Sequence, residues 1–429
     1  MIEQDLAKRE AEGRPIRVSS RGTGWMGGGF LAAVSHVPGM EVSVLCGEDG
    51  DRAARLFLEA GGVEKGGVVV TNNPSEAETA LKDGKRVATE DPSLGAQLPS
   101  IDLVTDCTPS PASGAETAYF AIENGKDVVL INIEADVAVG SRLRSLAEKK
   151  GVLYSVSSGD EPGCLMELWD FVTSLGYEPV VIGKGKNNPL DPSGTPDTVR
   201  EAAKKADKDP YQVASYVDGS KTMFELGCVA NATGCVPSQP GMTGPTADLN
   251  TVSEIFTLAE DGGTVPHPRV VDYVQGSAMS GGVFITVRIK DKRIASDLQY
   301  LKVGKGSYFT FFRPYHLWFL EAPISLAKAS LYREPTLVPL AKPVADSVTV
   351  AKKYLEPGET LDTFGGYTFR GLLESKEEAV RQDALPVALA PGARIRNRVT
   401  AGSVIRWEDV ELDEGSILVR LRREQDKTT

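Results

Sequence analysis

A glycine-rich turn between a predicted strand and a predicted helix restricts the start of this chain most strongly. The apolar run IRVSS at 16–20 predicts the strand, and FLAAVSHV at 30–37 predicts the helix. In the turn GTGWMG, the first glycine permits a tight bend, the second lets the backbone approach a pyrophosphate, and the third lets helix and strand pack closely. In this setting the pattern predicts dinucleotide binding. The predicted cofactor-binding residues of the turn are Gly22, Thr23, Gly24, Trp25, Met26 and Gly27.

Short apolar runs alternate with amphipathic stretches up to residue 156. EVSVLC, GVVVTNN, DLVTDCTP and DVVLINI predict further strands, and patterns such as GAETAYFAIENG predict the helices between them. Strands that alternate with helices form parallel βαβ units. We therefore expect an α/β chain that begins with a Rossmann domain, a doubly wound parallel sheet, over residues 1–156.

Two further domains are predicted after residue 156. Residues 157–340 predict an α+β catalytic and dimerisation domain, with a helix at 195–208 and a strand within 276–291. A helical region broken by Pro323 is expected near 314–332, and it is expected to pack back on the first domain. Residues 341–429 contain short alternating runs, among them SVTVAKKYL, ARIRNRVT and SILVRLRR, which are typical of a small β-rich domain.

Composition excludes several classes of partner. The net charge of −12, from 59 acidic and 47 basic residues, argues against nucleic acid or an anionic membrane as partner. No apolar run approaches the roughly 18 residues of a membrane span, and the N-terminus lacks the apolar stretch of a secretion signal. Five scattered cysteines without CxxC spacing are typical of a reduced, cytoplasmic protein.

The choice between NADP and NAD depends on the end of the second predicted strand. An acidic residue that binds the ribose hydroxyls is common there. Gly47 occupies that position and leaves room for a 2′-phosphate, but Glu48 follows it instead of an arginine. Arg52 or Arg21 would have to reach such a phosphate. The pattern favours NADP slightly and leaves NAD open, and Glu48, Arg52 and Thr108 complete the predicted cofactor site.

Several longer motifs carry a resemblance to a known family. They are the glycine turn, INIEADVAVG, GVLYSVSSGDEPG, GKGKNNPLD, DGSKTMFELGCVANATG, RPYHLWFLEAP and the β-rich tail. Through them the chain resembles homoserine-dehydrogenase-like oxidoreductases with a C-terminal SAF domain, and within them the deoxyxylulose-phosphate-reductoisomerase-like enzymes, from about residue 15 to 424. The resemblance implies a homodimer, an SAF domain over 341–429, and NADPH-dependent conversion of deoxyxylulose phosphate into methylerythritol phosphate for isoprenoid synthesis.

One position departs from true homoserine dehydrogenases. Their matching strand ends in a T-A-N-K motif whose lysine works in hydride transfer, whereas VVLINIEAD places Glu134 at the position of that lysine. This difference argues against homoserine oxidation by the usual residues. Glu134 and Asp136 are instead expected at the carboxyl end of a strand, where open α/β sheets bind ligands. Glu134 is predicted to be catalytic, with a structural cap or ion pair as the alternative.

The stretch GKGKNN is the strongest candidate for binding substrate. In an extended chain Lys184 and Lys186 point to the same side, because side chains repeat every two residues. Two ammonium groups suit a phosphate or carboxylate, and Asn187 and Asn188 suit sugar hydroxyls. We predict that the lysines, also proposed as catalytic, hold the anion of a small phosphorylated or carboxylated sugar-like substrate. A solvated loop is the alternative.

Further polar residues are expected to complete this site. Lys221 and Glu225 are four residues apart and share a helix face, either as a catalytic acid/base pair or as a surface ion pair. Near His316, a packed aromatic cluster is the alternative to anion binding. The remaining predicted substrate-binding residues are Asn231, Thr233, Arg313 and His316.

Two questions stay open at this point. By analogy with the implied chemistry, a divalent cation (Mg²⁺ or Mn²⁺) would polarise the substrate, and Glu134, Asp136 and Glu225 are available carboxylates without a compact ligand motif. Other functions also fit the sequence. One is a dehydrogenase or epimerase of a small polyhydroxy acid, and the other is a non-catalytic NADP-binding sensor.

Overall fold

The computed structural model describes residues 1–427, which form two compact units. The first unit contains Met1–Gly163, Leu317–Ala341 and the described residues from Ser416 onward. The second contains Cys164–His316 and Lys342–Gly415. The chain therefore returns to its first unit twice. The division into three predicted domains stays a prediction, and the last two residues of the third lie outside the described residues.

The first part of the chain forms a parallel sheet flanked by helices. Its strands are β1 (Ile16–Arg21), β2 (Met40–Cys46), β3 (Val68–Val70), β4 (Arg86–Thr89), β5 (Leu103–Asp106), β6 (Asp127–Leu130) and β7 (Tyr154–Val156). Its helices are α1 (Ile2–Ala11), α2 (Trp25–Ser35), α3 (Gly50–Ala60), α4 (Pro74–Lys82), α5 (Leu94–Gln97), α6 (Pro111–Glu123) and α7 (Ile133–Lys150). The order β3-β4-β2-β1-β5-β6-β7, parallel throughout, confirms the doubly wound sheet.

This topology explains where the glycine turn lies. The strand order reverses at β1, and in open α/β sheets ligands bind at such a reversal, outside the carboxyl ends of the strands. The turn at 22–24 connects that end of β1 to the start of α2. Apolar side chains of the strands, among them Ile16 and Val18, pack with Phe30 of α2 in one buried core.

A mixed sheet organises the second unit. Its helices are α8 (Glu161–Ser174, which begins in the first unit), α9 (Arg200–Ala206), α10 (Pro210–Val217), α11 (Ser220–Thr233), α12 (Val252–Ile255) and α13 (Lys292–Tyr300). Its strands are β8 (Glu178–Lys186), β9 (Val236–Pro237), β10 (Val270–Gln275), β11 (Val283–Arg288), β12 (Gly304–Lys305) and β13 (Tyr308–Arg313). Strand β8 lies centrally, parallel to β10 and antiparallel to β11, and the apolar residues of α11 pack in one core with those of the sheet.

The rest of the chain supplies short elements to both units. They are α14 (Ala322–Tyr332), β14 (Ala345–Ala351), β15 (Phe369–Ser375), α15 (Lys376–Arg381), β16 (Arg394–Ile395), β17 (Val410–Glu411) and α16 (Ile417–Asp426). Strands β14 and β15 form an antiparallel pair beside α11, and β16 and β17 form another. Among the described residues, no helix combines the length and apolar character needed to cross a membrane.

Three predicted elements differ from the structure. SILVRLRR is a helix, α16, because its buried residues Leu418, Leu421 and Arg422 recur at three- and four-residue spacing. Pro323 stands at the start of α14 and does not break a helix, since a proline in the first turn removes an N–H group that has no helical partner. The strand expected to include Glu134 ends at Leu130.

Candidate functional site

The two lysines of GKGK lie in the central strand of the second unit. Strand β8 extends to Lys186, and the side chains of Lys184 and Lys186 project from the same side of it. Both residues are buried, at 6% and 5% exposure, so a solvated loop is excluded. Two buried ammonium groups require compensating partners, because desolvation of an unpaired charge costs several kcal/mol.

The alternating glycines have a packing reason. A Cβ atom on Gly183 would lie 1.8 Å from the carbonyl oxygen of Asp272, and one on Gly185 would lie 1.7 Å from that of Met279. No side chain fits at either position, because neighbouring backbone occupies this side of β8. The lysine side chains occupy the other side. The GKGK pattern thus follows from the close approach of neighbouring backbone.

Lys184 forms a buried ion pair with Glu225 of α11. The side chains are only 8% and 3% exposed, and the ammonium donates to Oε2 of the carboxylate. This pair therefore holds a proton donor, the ammonium of Lys184, beside a proton acceptor, the carboxylate of Glu225, away from water. Lys221 lies one turn earlier on α11 and is half-buried. Lys184, Lys186 and Glu225 together are called the lysine cluster below.

Lys186 is less basic than an ordinary lysine. Its ammonium donates to the carbonyl oxygen of Tyr216, at the end of α10. Burial, and secondarily the like charge of Lys184, lowers the pKa of Lys186 to about 8, whereas Glu225 and Asp218 oppose the shift. This ammonium therefore loses its proton close to physiological pH, a range that suits acid–base chemistry.

Three of the predicted substrate-binding residues lie near the end of β8. Asn187 is exposed and accepts a hydrogen bond of 2.9 Å from the hydroxyl of Ser280, and Asn188 beside it is half-buried. His316 contacts the same loop, since its Nδ1 lies 2.8 Å from the carbonyl oxygen of Gly281. Asn187 and His316 thus both contact the loop that contains Ser280 and Gly281, and Asn188 adjoins Asn187 in the chain.

Three other predicted substrate-binding residues contact other parts of the protein. The guanidinium of Arg313 pairs with Glu167 at 3.0 Å and lies over the ring of Tyr315. The amide oxygen of Asn231 accepts two backbone N–H groups at the start of β14. The hydroxyl of Thr233 donates to a carbonyl of its own helix, about 12 Å beyond Glu225 along α11. The structure thus places Asn231 and Thr233 away from Glu225, and their part in substrate binding stays a prediction.

The glycine turn of the first unit has the form that a pyrophosphate needs. Gly22 has φ +119°, which favours glycine, and a Cβ atom on Gly27 would lie 1.9 Å from the carbonyl oxygen of Gly22. Gly24 caps α2, and a Cβ atom there would meet nothing within 4 Å. The N-terminus of α2 at this turn thus has the polarity and the open backbone that suit an anion.

Around this turn, Arg52 is the cation best placed for a 2′-phosphate. Its guanidinium donates to the carbonyl oxygen of Thr23 at 3.2 Å, and both Arg52 and Glu48 are exposed. Arg21, the other predicted candidate, instead pairs with Glu116 at 2.6 Å. Thr108 donates through both its N–H and its hydroxyl to Asp106, which fixes the end of β5 near Gly22.

Glu134 and Asp136 occupy the first turn of α7, after β6. Both are buried, and Asp136 accepts a hydrogen bond of 2.8 Å from the hydroxyl of Tyr154. They belong to the first unit, whereas Glu225 belongs to the second. Acidic residues in the first turn also stabilise a helix through its dipole, which is the structural alternative for Glu134.

A divalent cation does not fit the lysine cluster. Glu225 already faces the ammonium of Lys184, which would repel a second cation at the same carboxylate. Within residues 1–427, neither unit by itself brings three metal-ligating side chains together.

Asp218 and Lys352 are residues of the site that the sequence did not reveal. Asp218 precedes α11, and its carboxylate accepts the N–H of Ser220, so the DGS pattern is a recognisable helix-start signal. Lys352 lies 2.7 Å from that carboxylate, with side chains only 3% and 0% exposed. No local pattern predicts a contact across more than a hundred residues.

The glycine turn allows a paired test of the cofactor site. We expect Gly27→Ala to destabilise the first unit and abolish dinucleotide binding, because its Cβ overlaps the backbone of Gly22. Gly24→Ala meets no protein atom and should keep the wild-type melting temperature, yet weaken NADPH binding tenfold or more, on the order of 1.4 kcal/mol. Thermal unfolding and fluorescence titration with NADPH measure the two effects. Equal binding losses without any difference in melting temperature would contradict this account.

Two family models match consecutive parts of the chain. A family model described as the NAD-binding domain of homoserine dehydrogenase matches residues 22–157. A model described as the catalytic domain of the oxidoreductase DRL matches residues 159–322. No curated protein sequence matches the chain significantly.

Similar solved structures share little sequence with the chain. A probable dehydrogenase from Thermotoga maritima is 14% identical, with 74% of this chain and 90% of that chain covered and a TM-score of 0.42. The 3-ketoreductase KijD10 from Actinomadura kijaniata, in complex with NADP and TDP-benzene, is 15% identical, with 75% and 91% covered and a TM-score of 0.37. These similarities carry neither a substrate nor an activity over to this chain.

Proposed function

We propose that this chain, which belongs to the homoserine-dehydrogenase-like NAD(P)-dependent oxidoreductases, converts deoxyxylulose phosphate into methylerythritol phosphate with NADPH. The observation that carries the proposal is the lysine cluster at the end of β8, within the segment matched by the catalytic-domain model. True homoserine dehydrogenase activity is not proposed, because a glutamate replaces the lysine of the T-A-N-K motif.

The charge of the cluster suits an anionic substrate. Two ammonium groups face one carboxylate, so one positive charge is in excess when Lys186 is protonated. Lys184 is occupied by Glu225, which leaves Lys186 to bind the phosphate as a point charge. Asn187 and Asn188 are adjacent and offer amide donors and acceptors to the hydroxyl groups of the sugar chain.

The ion pair supplies the proton transfers that the reaction needs. In the rearrangement, a hydroxyl proton leaves the substrate while one carbon–carbon bond breaks and another forms, which yields an aldehyde. Glu225 accepts that proton, and Lys184 donates one to the aldehyde oxygen as its carbon is reduced. Bound NADPH supplies the hydride. Glu225 then passes the proton that it accepted to the oxygen of the former ketone, which becomes a hydroxyl group. Lys184 regains its proton from solvent, because the overall reaction consumes one proton together with the hydride.

Other properties of the proposal depend on the family resemblance. Arg52 supports NADPH over NADH, since it is an exposed guanidinium beside Thr23 at the glycine turn. A homodimer, an SAF-like role for residues 341–429 and a cytoplasmic location are proposed with it.

A dehydrogenase or epimerase of a small polyhydroxy acid is the second candidate. The single excess charge of the cluster matches a carboxylate as well as it matches one ionised oxygen of a phosphate. This reaction requires only hydride and proton transfer, and no metal. A silent NADP-binding sensor is a weaker candidate, because a sensor needs no substrate pocket, and apolar residues of similar volume are often as stable as a buried ion pair.

Nicotinamide absorbance tests the proposal directly. The purified protein is mixed with deoxyxylulose phosphate and NADPH or NADH, with Mg²⁺, Mn²⁺ or a chelator in parallel. We expect NADPH oxidation, with the KM for the phosphate substrate raised at least a hundredfold in Lys186→Ala, on the order of 2.7 kcal/mol. The exposed Lys290→Ala in the same unit is the matched control and should be unchanged. NADPH binding without turnover would reject the reductoisomerase and direct the assay to sugar acids in the oxidative direction.

A further inference from the structure

A second buried ion pair lies next to the lysine cluster. The carboxylate of Asp218 lies 2.7 Å from the ammonium of Lys352, and both side chains are almost fully buried. Lys352 also donates to the carbonyl oxygens of Gly194 at 2.6 Å and Gly366 at 2.8 Å. The ammonium therefore donates to two backbone carbonyl oxygens besides facing the carboxylate, and it joins three separate segments of the second unit.

This pair is connected to two members of the lysine cluster, Lys186 and Glu225. Lys186 donates to the carbonyl oxygen of Tyr216, two residues before Asp218 in the turn between α10 and α11. Asp218 accepts the N–H of Ser220, at the start of the helix that carries Glu225. The turn therefore positions the carbonyl oxygen of Tyr216, which accepts from Lys186. It also positions the start of α11, the helix that carries Glu225, the partner of Lys184.

The segment after residue 341 supports this turn from its far side. Lys352 follows β14, and the N–H of Gly371 in β15 donates to the hydroxyl of Ser220 at 2.8 Å. A Cβ atom on Gly371 would lie 3.4 Å from the Cα of Ser220, so the two backbones are in contact. No catalytic residue was predicted in this segment from the sequence. Its role depends on the contacts of Lys352 and Gly371 with the turn, which form only in the folded protein.

We propose that Asp218 and Lys352 are positioning residues of the lysine cluster, through which residues 342–415 set the placement and charge of Lys186. This inference rests on the proposed function for its catalytic meaning. Neither residue is assigned to touch the substrate. Asp218 acts through the turn and through its negative charge, and Lys352 acts by holding Asp218 in place.

The electrostatic part of this role follows from the charges nearby. Lys186 is faced by Lys184 from β8, Glu225 from α11 and Asp218 from the turn. Burial raises the pKa of Asp218, while Lys352 opposes the rise, and Arg370 of β15 is a further cation within the field of Asp218. Loss of the Asp218 charge should therefore make Lys186 easier to deprotonate.

Titration of Lys186 by NMR tests the role without any need for activity. The full chain is labelled with ¹³C at the lysine ε carbon, and the Lys186 signal is assigned from Lys186→Arg. We expect Asp218→Asn to lower the pKa of Lys186 by about one unit, because an opposite charge is lost while the amide oxygen keeps its bond to Ser220. The matched control is Asp346→Asn, since Asp346 forms a comparably buried pair with Lys376 at 3.0 Å in the same unit.

The outcomes separate positioning from general stability. A shift of the Lys186 pKa in Asp218→Asn, with none in Asp346→Asn, supports the proposal, and unchanged titration in both variants overturns it. If Asp218→Asn does not fold, Lys352→Met replaces it, with a shift in either direction as the supporting result. Failure of the wild type to turn over deoxyxylulose phosphate rejects the proposed function and leaves this titration result intact.

Discussion

Glu225→Gln should lower the free energy of unfolding by about 3–5 kcal/mol and remove activity. The substitution leaves the ammonium of Lys184 buried without its carboxylate, and an unpaired buried charge is far more costly than a pair. The double variant Lys184→Met/Glu225→Met removes both charges and fills similar volume, so it should recover most of the lost stability. Urea unfolding of the wild type, Lys184→Met, Glu225→Met and the double variant completes the cycle.

Activity and stability should separate within this cycle. The double variant should be stable and inactive, because the proton acceptor and the proton donor are both gone. Asp297→Asn provides the matched control, since Asp297 pairs with Arg293 at 3.0 Å on the surface of the same unit. Exposed pairs contribute little, so its unfolding should hardly change. Equal losses in the single and double variants would show that the cost is in packing and not in charge.

The dinucleotide-binding fold was predictable because its signals are local. A strand, a glycine turn and a helix follow one another within residues 16–35, and each later βαβ unit repeats that local order. The alternation of Lys184 and Lys186 also predicted their common side, since period two belongs to any strand. The sequence could not predict that both lysines are buried, which is the main cause of the lowered pKa of Lys186.

Contacts between distant segments account for what was missed. The sequence predicts that Glu225 shares a helix face with Lys221, but it could not predict the ion pair of Glu225 with Lys184, 41 positions away. Asn231 follows Glu225 on the same helix, yet its amide caps the start of β14 because the chain returns there. SILVRLRR alternates enough to suggest a strand, and only the packing of α16 against α7 decides for the helix.

Removal of the Lys186 charge should stabilise the protein below about pH 8. The folded-state pKa of about 8 lies below the ordinary 10.5, so the native state holds this proton less well than the unfolded state. The charge of Lys186 therefore lowers the free energy of unfolding, and this effect is fully present below pH 8. Between pH 8 and 10.5 the unfolded chain binds more protons than the native state, so the effect disappears as the pH rises through that range. Lys186→Met should therefore be more stable by about 2–3 kcal/mol near neutral pH.

The pH dependence separates this charge effect from simple packing. The advantage of Lys186→Met over the wild type should shrink as the pH rises above 8, whereas Lys186→Arg, which cannot lose its proton, should stay destabilised throughout. Urea unfolding at several pH values measures both. An advantage of Lys186→Met that does not change with pH would mean that Lys186 carries no buried charge. A lysine that costs stability at neutral pH and loses its proton near pH 8 is expected where binding an anion outweighs the stability of the fold.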